Sequence, residues 1–201
     1  MFQINKRPIV VLSAPRTGST ALAAYIRKMS NDSSIQAFYE PDAVGGRMNE
    51  FLQVYNSDSK NFIVKTHLMN IERYSPEIAN FFTTSDSVFR IRIQRKDLIK
   101  QIVSYYIAVS RGNKWHYRHA NELGIFDKLN IDQNMLQAHV KHIIRSNKIL
   151  KESQINFDLD LFYEDLPKMD NLSFYVNPKP TNYQEILDAV SKIVSQSSII
   201  L

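Results

Sequence analysis

The sequence predicts a three-layer α/β domain with a mainly parallel central sheet. Three observations predict it. Apolar runs of strand length recur at 8–12, 35–38, 62–66, 87–94 and 155–163. Segments of helical periodicity stand between them. The first run passes at once into a Gly/Ser/Thr turn and an amphipathic helix. Strands alternating with helices build a parallel sheet covered on both faces. Ligands of such sheets bind beyond the carboxyl ends of the strands. The 201 residues are expected to form a single domain, 1–201, long enough to bury a real core.

The elements follow in order. Residues 8–12 are a short β-branched run and read as a buried strand. The next helix places Leu22, Tyr25, Ile26 and Met29 on one face and stops near Ser30-Asn31-Asp32-Ser33. Ile35 to Phe38 forms a second strand that ends at Tyr39-Glu40-Pro41-Asp42, and Phe62 to Thr66 a third. Ser75-Pro76-Glu77 supplies an N-cap, a proline at the first helical position and an acidic first turn, so a helix runs from there through Phe82. From Ser87 to Gln94, Phe89, Ile91 and Ile93 alternate with Arg90 and Arg92, which predicts a strand with one less apolar face. Asp97 caps a helix carrying Leu98, Ile102, Tyr105 and Tyr106 that ends near Gly112. Residues 111–130 are an irregular, aromatic and basic insert. A long helix from Asp132 to about Glu152 buries Leu136, Val140, Ile143 and Leu150. Ile155, Phe157, Leu159, Leu161 and Tyr163 alternate strictly, as in a strand. The last helix runs from about Tyr183 to Val194.

Composition narrows the function classes. There is no cysteine, which excludes disulfides and Cys-based metal sites and agrees with a reducing, cytoplasmic compartment. No N-terminal apolar run has the length of a signal peptide or a membrane span, so stable membrane insertion is not expected. The net charge of +5 favours anionic ligands. No Lys/Arg block marks a nucleic-acid partner.

The loop Pro15-Arg16-Thr17-Gly18-Ser19-Thr20 carries the strongest chemical signal. It joins a buried strand to a helix, so free N–H groups and the positive end of the helix dipole converge on one small volume that suits a phosphate or sulfate. The loop is P-loop NTPase-like but lacks the lysine of GxxxxGK[ST], whose place Ser19 takes. Arg16 is the nearby cation, able to hydrogen-bond two oxygens of an anion. A plain strand-to-helix turn also contains Gly and Ser.

Four further segments stand at predicted strand ends. Arg95, with Ser104 about two turns along the next helix, can reach one further phosphate; a solvated basic turn has the same composition. In Lys65-Thr66-His67, the histidine suits a general base near neutral pH and the lysine can stabilise charge on a leaving oxygen. Glu40, in Tyr39-Glu40-Pro41, can accept a proton from an acceptor hydroxyl or can simply pair with a cation such as Arg47. Tyr163-Glu164-Asp165-Leu166 reads as a structural turn whose acids pair with a helix terminus or an arginine, and not as a metal site.

Taken together and in this order, these segments resemble the sulfotransferases that use 3′-phosphoadenosine 5′-phosphosulfate (PAPS). The resemblance spans roughly residues 8–183. It implies that Pro15, Arg16, Thr17, Gly18, Ser19 and Thr20 hold the 5′-phosphosulfate, and that Arg95 and Ser104 hold the 3′-phosphate. The family's spacing of that last pair is one residue shorter than here; Lys96 stands at the shorter distance, as a substitute. Val64-Lys65-Thr66-His67-Leu68 is similar to the segment of cytosolic members in which His is the base and Lys assists. Glu40-Pro41 is instead similar to bacterial and carbohydrate-type members, in which Glu is the base. The chain offers both solutions. Tyr163-Glu164-Asp165-Leu166 matches a structural motif of the family, and Lys179, Thr181 and Tyr183 lie where a C-terminal segment closes over the nucleotide. The glycine-rich closing loop of many cytosolic members is absent.

The resemblance implies in-line transfer of a sulfuryl group from PAPS to an acceptor hydroxyl or amine, leaving 3′,5′-adenosine bisphosphate, with no metal. Arg16 and Lys65 would stabilise the developing charge, and His67 or Glu40 would take the proton. His67 is preferred, because its ordinary pKa of about 6.5 suits a base at neutral pH, whereas Glu40 would need burial to raise its own. Trp115, His116, Tyr117, Arg118 and His119 in the insert are candidates to contact a small-molecule, sugar or lipid acceptor. The competing readings are an ATP-using P-loop kinase or NTPase and a non-catalytic nucleotide- or nucleic-acid-binding module.

Overall fold

The computed structural model describes residues 7–30, 32–43, 46–57, 61–111, 128–166 and 179–196. Five strands form one sheet: β1 (Ile9–Ser13), β2 (Gln36–Tyr39), β3 (Phe62–His67), β4 (Phe89–Gln94) and β5 (Leu159–Phe162). Their order is β2-β3-β1-β4-β5, and every pair is parallel. Six α-helices connect or cover them: α1 (Ser19–Met29), α2 (Met48–Tyr55), α3 (Pro76–Thr84), α4 (Leu98–Ser110), α5 (Gln133–Glu152) and α6 (Tyr183–Gln196). The expected α/β architecture with helices on both faces of a parallel sheet is the one observed. No helix among the described residues is long and apolar enough to cross a membrane.

β1 lies between β3 and β4 and is buried along its whole length. Successive side chains of a strand point to opposite faces. Ile9 and Val11 therefore pack with Leu22, Ala23 and Ile26 of α1, while Val10 and Leu12 pack with Phe38, Phe62 and Phe82 on the other face. Each buried aliphatic of this size contributes roughly 1.5–3 kcal/mol of transfer free energy. A third apolar cluster joins α4, α5 and α6 through Ile102, Tyr106, Leu136, Val140, Ile143, Ile186 and Val190.

The cap signals at Ser75 and Asp97 resolve as read from sequence, and Asp132, read only as the start of a helix, caps as well. Ser75 Oγ accepts from Ile78 N at 3.4 Å behind Pro76. Asp97 accepts from Lys100 N at 2.9 Å, and Asp132 from Asn134 N and Met135 N at 2.9 and 3.0 Å.

Several boundaries differ from the expectations. Met29 belongs to α1 but is 55% exposed; the buried residues of the helix end at Ile26. The strand expected over 155–163 contracts to Leu159–Phe162, since only 159–162 pair with β4. The less apolar face of β4 has a physical explanation. Arg90 is buried, donating Nε to the Phe82 carbonyl at 2.7 Å, and Arg92 pairs with Asp160 on β5. Helix α2 and a 3-10 helix at Leu68–Arg73 have no counterpart in the sequence reading. Phe51 of α2 is fully buried at the centre of an aromatic cluster with Phe38, Tyr55, Phe62, Tyr74 and Phe82. Most of the insert, 112–127, lies outside the described residues, and with it Trp115, His116, Tyr117, Arg118 and His119.

Candidate active site

The loop between β1 and α1 sits at the carboxyl edge of the sheet, where β1 separates the β3 side from the β4 side. Two of its residues have left-handed backbone: Arg16 at φ 63° and Gly18 at φ 77°. Gly18 is the residue before α1, so the helix has no side-chain cap, and its first turn has no acid. The opening N–H groups of α1 and its positive dipole end thus face the loop without a protein anion.

The loop is held from below and from the side. Thr17, fully buried, donates Oγ1 to the Ala14 carbonyl at 3.1 Å. Gln101 of α4, also fully buried, donates Nε2 to the Pro15 carbonyl at 2.7 Å and accepts from Asn147 of α5 at 3.0 Å. Tyr163 lies over Gly18; a Cβ there would stand 2.4 Å from its ring. The same ring faces the Arg95 guanidinium at 5.0 Å. Glu164 accepts from the backbone N–H groups of Lys96 and Asp97 at 3.0 and 3.3 Å. The Tyr163-Glu164-Asp165 turn is therefore structural, as read, with its acids on a helix start and its aromatic on the loop.

Register assembles the second half of the site. Ser13 pairs with His67 across β1 and β3, and Tyr39 pairs with Lys65 across β2 and β3. Parallel pairing in that register brings Ser13, Lys65, His67 and Glu40 to one edge. Lys65 Nζ donates to Glu40 Oε1 and lies 3.2 Å from His67 Nε2. Glu40 Oε1 is 3.1 Å from the same nitrogen. Ser13 donates its single hydroxyl proton to Ser19 Oγ at 3.0 Å. The same oxygen lies 3.2 Å from His67 Nδ1. His67 thus has Ser13 on its Nδ1 side, and Lys65 and Glu40 on its Nε2 side.

Burial sets the charges. For Glu40 burial pushes the carboxyl pKa up, but the His67 hydrogen bond and the Lys65 charge outweigh it and hold the group far below the ordinary range. Lys65 is driven down by burial, with Glu40 opposing and Arg16 adding to the fall. His67 is driven down by burial and by the Lys65 charge, against Glu40. Arg16 falls to about 10 through burial and the neighbouring Arg95.

Arg16 Nε donates to Ser104 Oγ at 3.0 Å, and Arg95 Nη1 donates to the Arg16 carbonyl at 3.3 Å. Arg95, Arg16 and Ser104 thus form one group. Among the described residues Arg95 Nε is buried without a hydrogen-bond partner, with Glu164 Oε1 3.7 Å away. Lys96 turns away to Asp165 at 2.6 Å and is half exposed. Lys179 is exposed and rests its Nζ 4.6 Å from the Tyr183 ring, apart from these groups. Among the described residues no group of histidines and acids has the makings of a metal site. Two open hollows lie elsewhere, one lined by Arg27, Lys28 and Tyr39, the other by Ile71, Thr83 and Ile149; neither contains a candidate site residue.

The sequence reading missed Gln101 and Asp42. A fully apolar helix face interrupted by one glutamine was the available signal for the first. Asp42 follows Glu40-Pro41, but its partners Thr66 and Tyr74 come from distant segments. No family model matches the chain, and no curated protein matches it significantly.

Proposed function

We propose that the chain is a PAPS-dependent sulfotransferase. The observation that carries this reading is the convergence at one sheet edge of an uncapped helix start, the Arg16–Arg95–Ser104 group and the Glu40–Lys65–His67 cluster. The first two offer cations and donors for two separate anionic groups. Arg95 Nε, buried without a hydrogen-bond acceptor among the described residues, suits a phosphate oxygen. Ser19, which receives the Ser13 proton, keeps its own hydroxyl hydrogen for a ligand oxygen.

In the proposed reaction the acceptor oxygen forms a bond to sulfur as the bond from sulfur to the bridging oxygen breaks. The bisphosphate leaves with the electron pair. Positioning and charge stabilisation supply most of the catalysis, as in phosphoryl transfer. Arg16 and Lys65 face the developing negative charge. His67 takes the acceptor proton, because burial and the Lys65 charge favour its neutral ring. Glu40, although largely buried, is held far below the basicity such a role needs. It stands 3.1 Å from His67 Nε2, where it stabilises the imidazolium.

The test is thermal stabilisation by three ligands: 3′,5′-adenosine bisphosphate, ATP with Mg²⁺, and a short oligonucleotide. A clear shift with the bisphosphate alone supports the proposal, and an acceptor screen with labelled PAPS follows. A shift with ATP-Mg²⁺ and none with the bisphosphate would replace it by a kinase or NTPase reading. A salt-sensitive response to the oligonucleotide that survives Arg16→Ala would point to a binding module.

A further inference from the structure

Asp42 is a nearly fully buried carboxylate that the proposed chemistry does not use; its side chain is 1% exposed. Its Oδ1 accepts from Tyr74 OH at 2.8 Å and from Thr66 Oγ1 at 3.3 Å. Its Oδ2 accepts no hydrogen bond among the described residues, and Arg73 Nη1 stands 3.8 Å from it on a half-exposed side chain. Burying a carboxylate with so few donors is costly, so its place needs a reason.

The reason lies next to it. Thr66 separates Lys65 from His67 on β3, and its side chain points to the opposite face of the sheet. Asp42 therefore grips β3 from behind the two bases. It also ends the turn that carries Glu40, a non-glycine residue at φ 48° whose N–H donates to the Lys65 carbonyl at 2.7 Å. One side chain thus fixes both the strand holding Lys65 and the strained turn holding its counterion.

We propose that Asp42 is a positioning residue whose buried charge keeps Lys65 an ammonium group when Glu40 is drawn to the imidazolium of His67. This rests on the sulfuryl-transfer reading for its use, though not for its test. The charged and titratable groups facing Lys65 are Glu40 from the end of β2, His67 along β3, Arg16 from the loop after β1, and Asp42. Glu40 and Asp42 favour the ammonium; Arg16 and burial oppose it. Tyr105 of α4 faces the Glu40 charge from above. Once the imidazolium competes for Glu40, Asp42 is the remaining anion.

The test follows the Lys65 side chain by NMR of lysine-labelled protein, with Lys65→Arg assigning the signal. Asp42→Asn keeps an oxygen for Tyr74 and Thr66 but removes the charge. Its Lys65 titration midpoint should fall by about one pH unit or more, since one charge within about 12 Å at an effective dielectric near 20 is worth at least that. Tyr74→Phe removes a hydrogen bond but keeps the charge; it should lower the melting temperature and leave the Lys65 midpoint in place. Arg73→Gln, on an exposed side chain, should move the midpoint upward, and this arm stands even if Asp42→Asn fails to fold. An unchanged midpoint in Asp42→Asn, an equal fall in Tyr74→Phe, or no rise in Arg73→Gln overturns the proposal. These readouts need no turnover, so they are independent of whether sulfuryl transfer is found. Where turnover is measured, Asp42→Asn should lower kcat more than it raises KM and shift the alkaline limb to lower pH.

Discussion

Arg16 Nε donates to Ser104 Oγ across 3.0 Å, so the loop after β1 and the middle of α4 touch through two side chains that sequence reading assigns to different phosphates. The two proposed anion subsites are therefore one connected network. Buried cations that share a partner bind anions together, and their contributions do not add.

That connection gives the first prediction. Ser104→Ala removes a hydroxyl from both Arg16 and a bound phosphate, and should weaken 3′,5′-adenosine bisphosphate about ten- to 100-fold, the range of a hydrogen bond to a charged group. Arg16→Ala should weaken it at least as much. The double variant should lose less than the sum of the two in free energy, as measured by titration calorimetry. Fully additive losses would mean that Arg16 and Ser104 serve separate groups.

Much of the fold was legible because its signals are local. β1, the caps at Ser75 and Asp97, and the Gly18 turn each need only a few neighbouring residues to be recognised. Helix α2 was locally legible too, since Met48, Phe51, Leu52 and Tyr55 fall at helical spacing, but the loop-like residues on either side masked it. The site was legible as separate segments and not as a network. Nothing in sequence order says that Lys65 lies against Glu40, because that contact depends on β2 pairing with β3 in one register. Gln101 stood out only as one glutamine on an apolar helix face; its role was hidden because its partner, the Pro15 carbonyl, is far upstream. The contracted end of β5 reflects a limit of alternation, which persists at 155–158 although the ladder with β4 covers only 159–162.

Gly18 carries the second prediction. Its φ of 77° suits glycine, and the Tyr163 ring occupies the place of a Cβ. Gly18→Ala should cost about 1–2 kcal/mol from the left-handed backbone alone, with a further loss from displacing the ring. Tyr163→Ala should remove the second part and leave the first. A double-mutant cycle on urea unfolding separates them: the coupling should be of the sign that makes Gly18→Ala milder when Tyr163 is absent. Equal effects of Gly18→Ala in both backgrounds would show that the ring does not press on the loop.

The third prediction concerns acid stability. His67, His139 and His142 all have pKa values lowered in the folded protein, each by burial first. Lys65 adds to the fall for His67, His142 for His139, and Arg145 for His142. An unfolded histidine titrates near pH 6.5. Between that value and the lower folded one, the unfolded chain binds more protons than the folded chain. Stability is then complete above about pH 7 and falls as the pH drops toward 5. Glu40 acts in a separate window. Its folded pKa lies below the ordinary carboxylate value of about 4.5, so its contribution is lost only as the pH falls below that value. Melting temperatures between pH 7.5 and 5 therefore report the histidines. They should decline steadily, and His142→Asn should flatten the decline by removing one of the three titrating groups. His142 stacks on Tyr105, with ring centroids 5.1 Å apart, so the variant should also lower the melting temperature at pH 7.5 by a constant amount. A melting temperature that holds or rises toward pH 5 would mean that these rings are already protonated in the folded protein, and would remove the neutral His67 on which the proposed base depends.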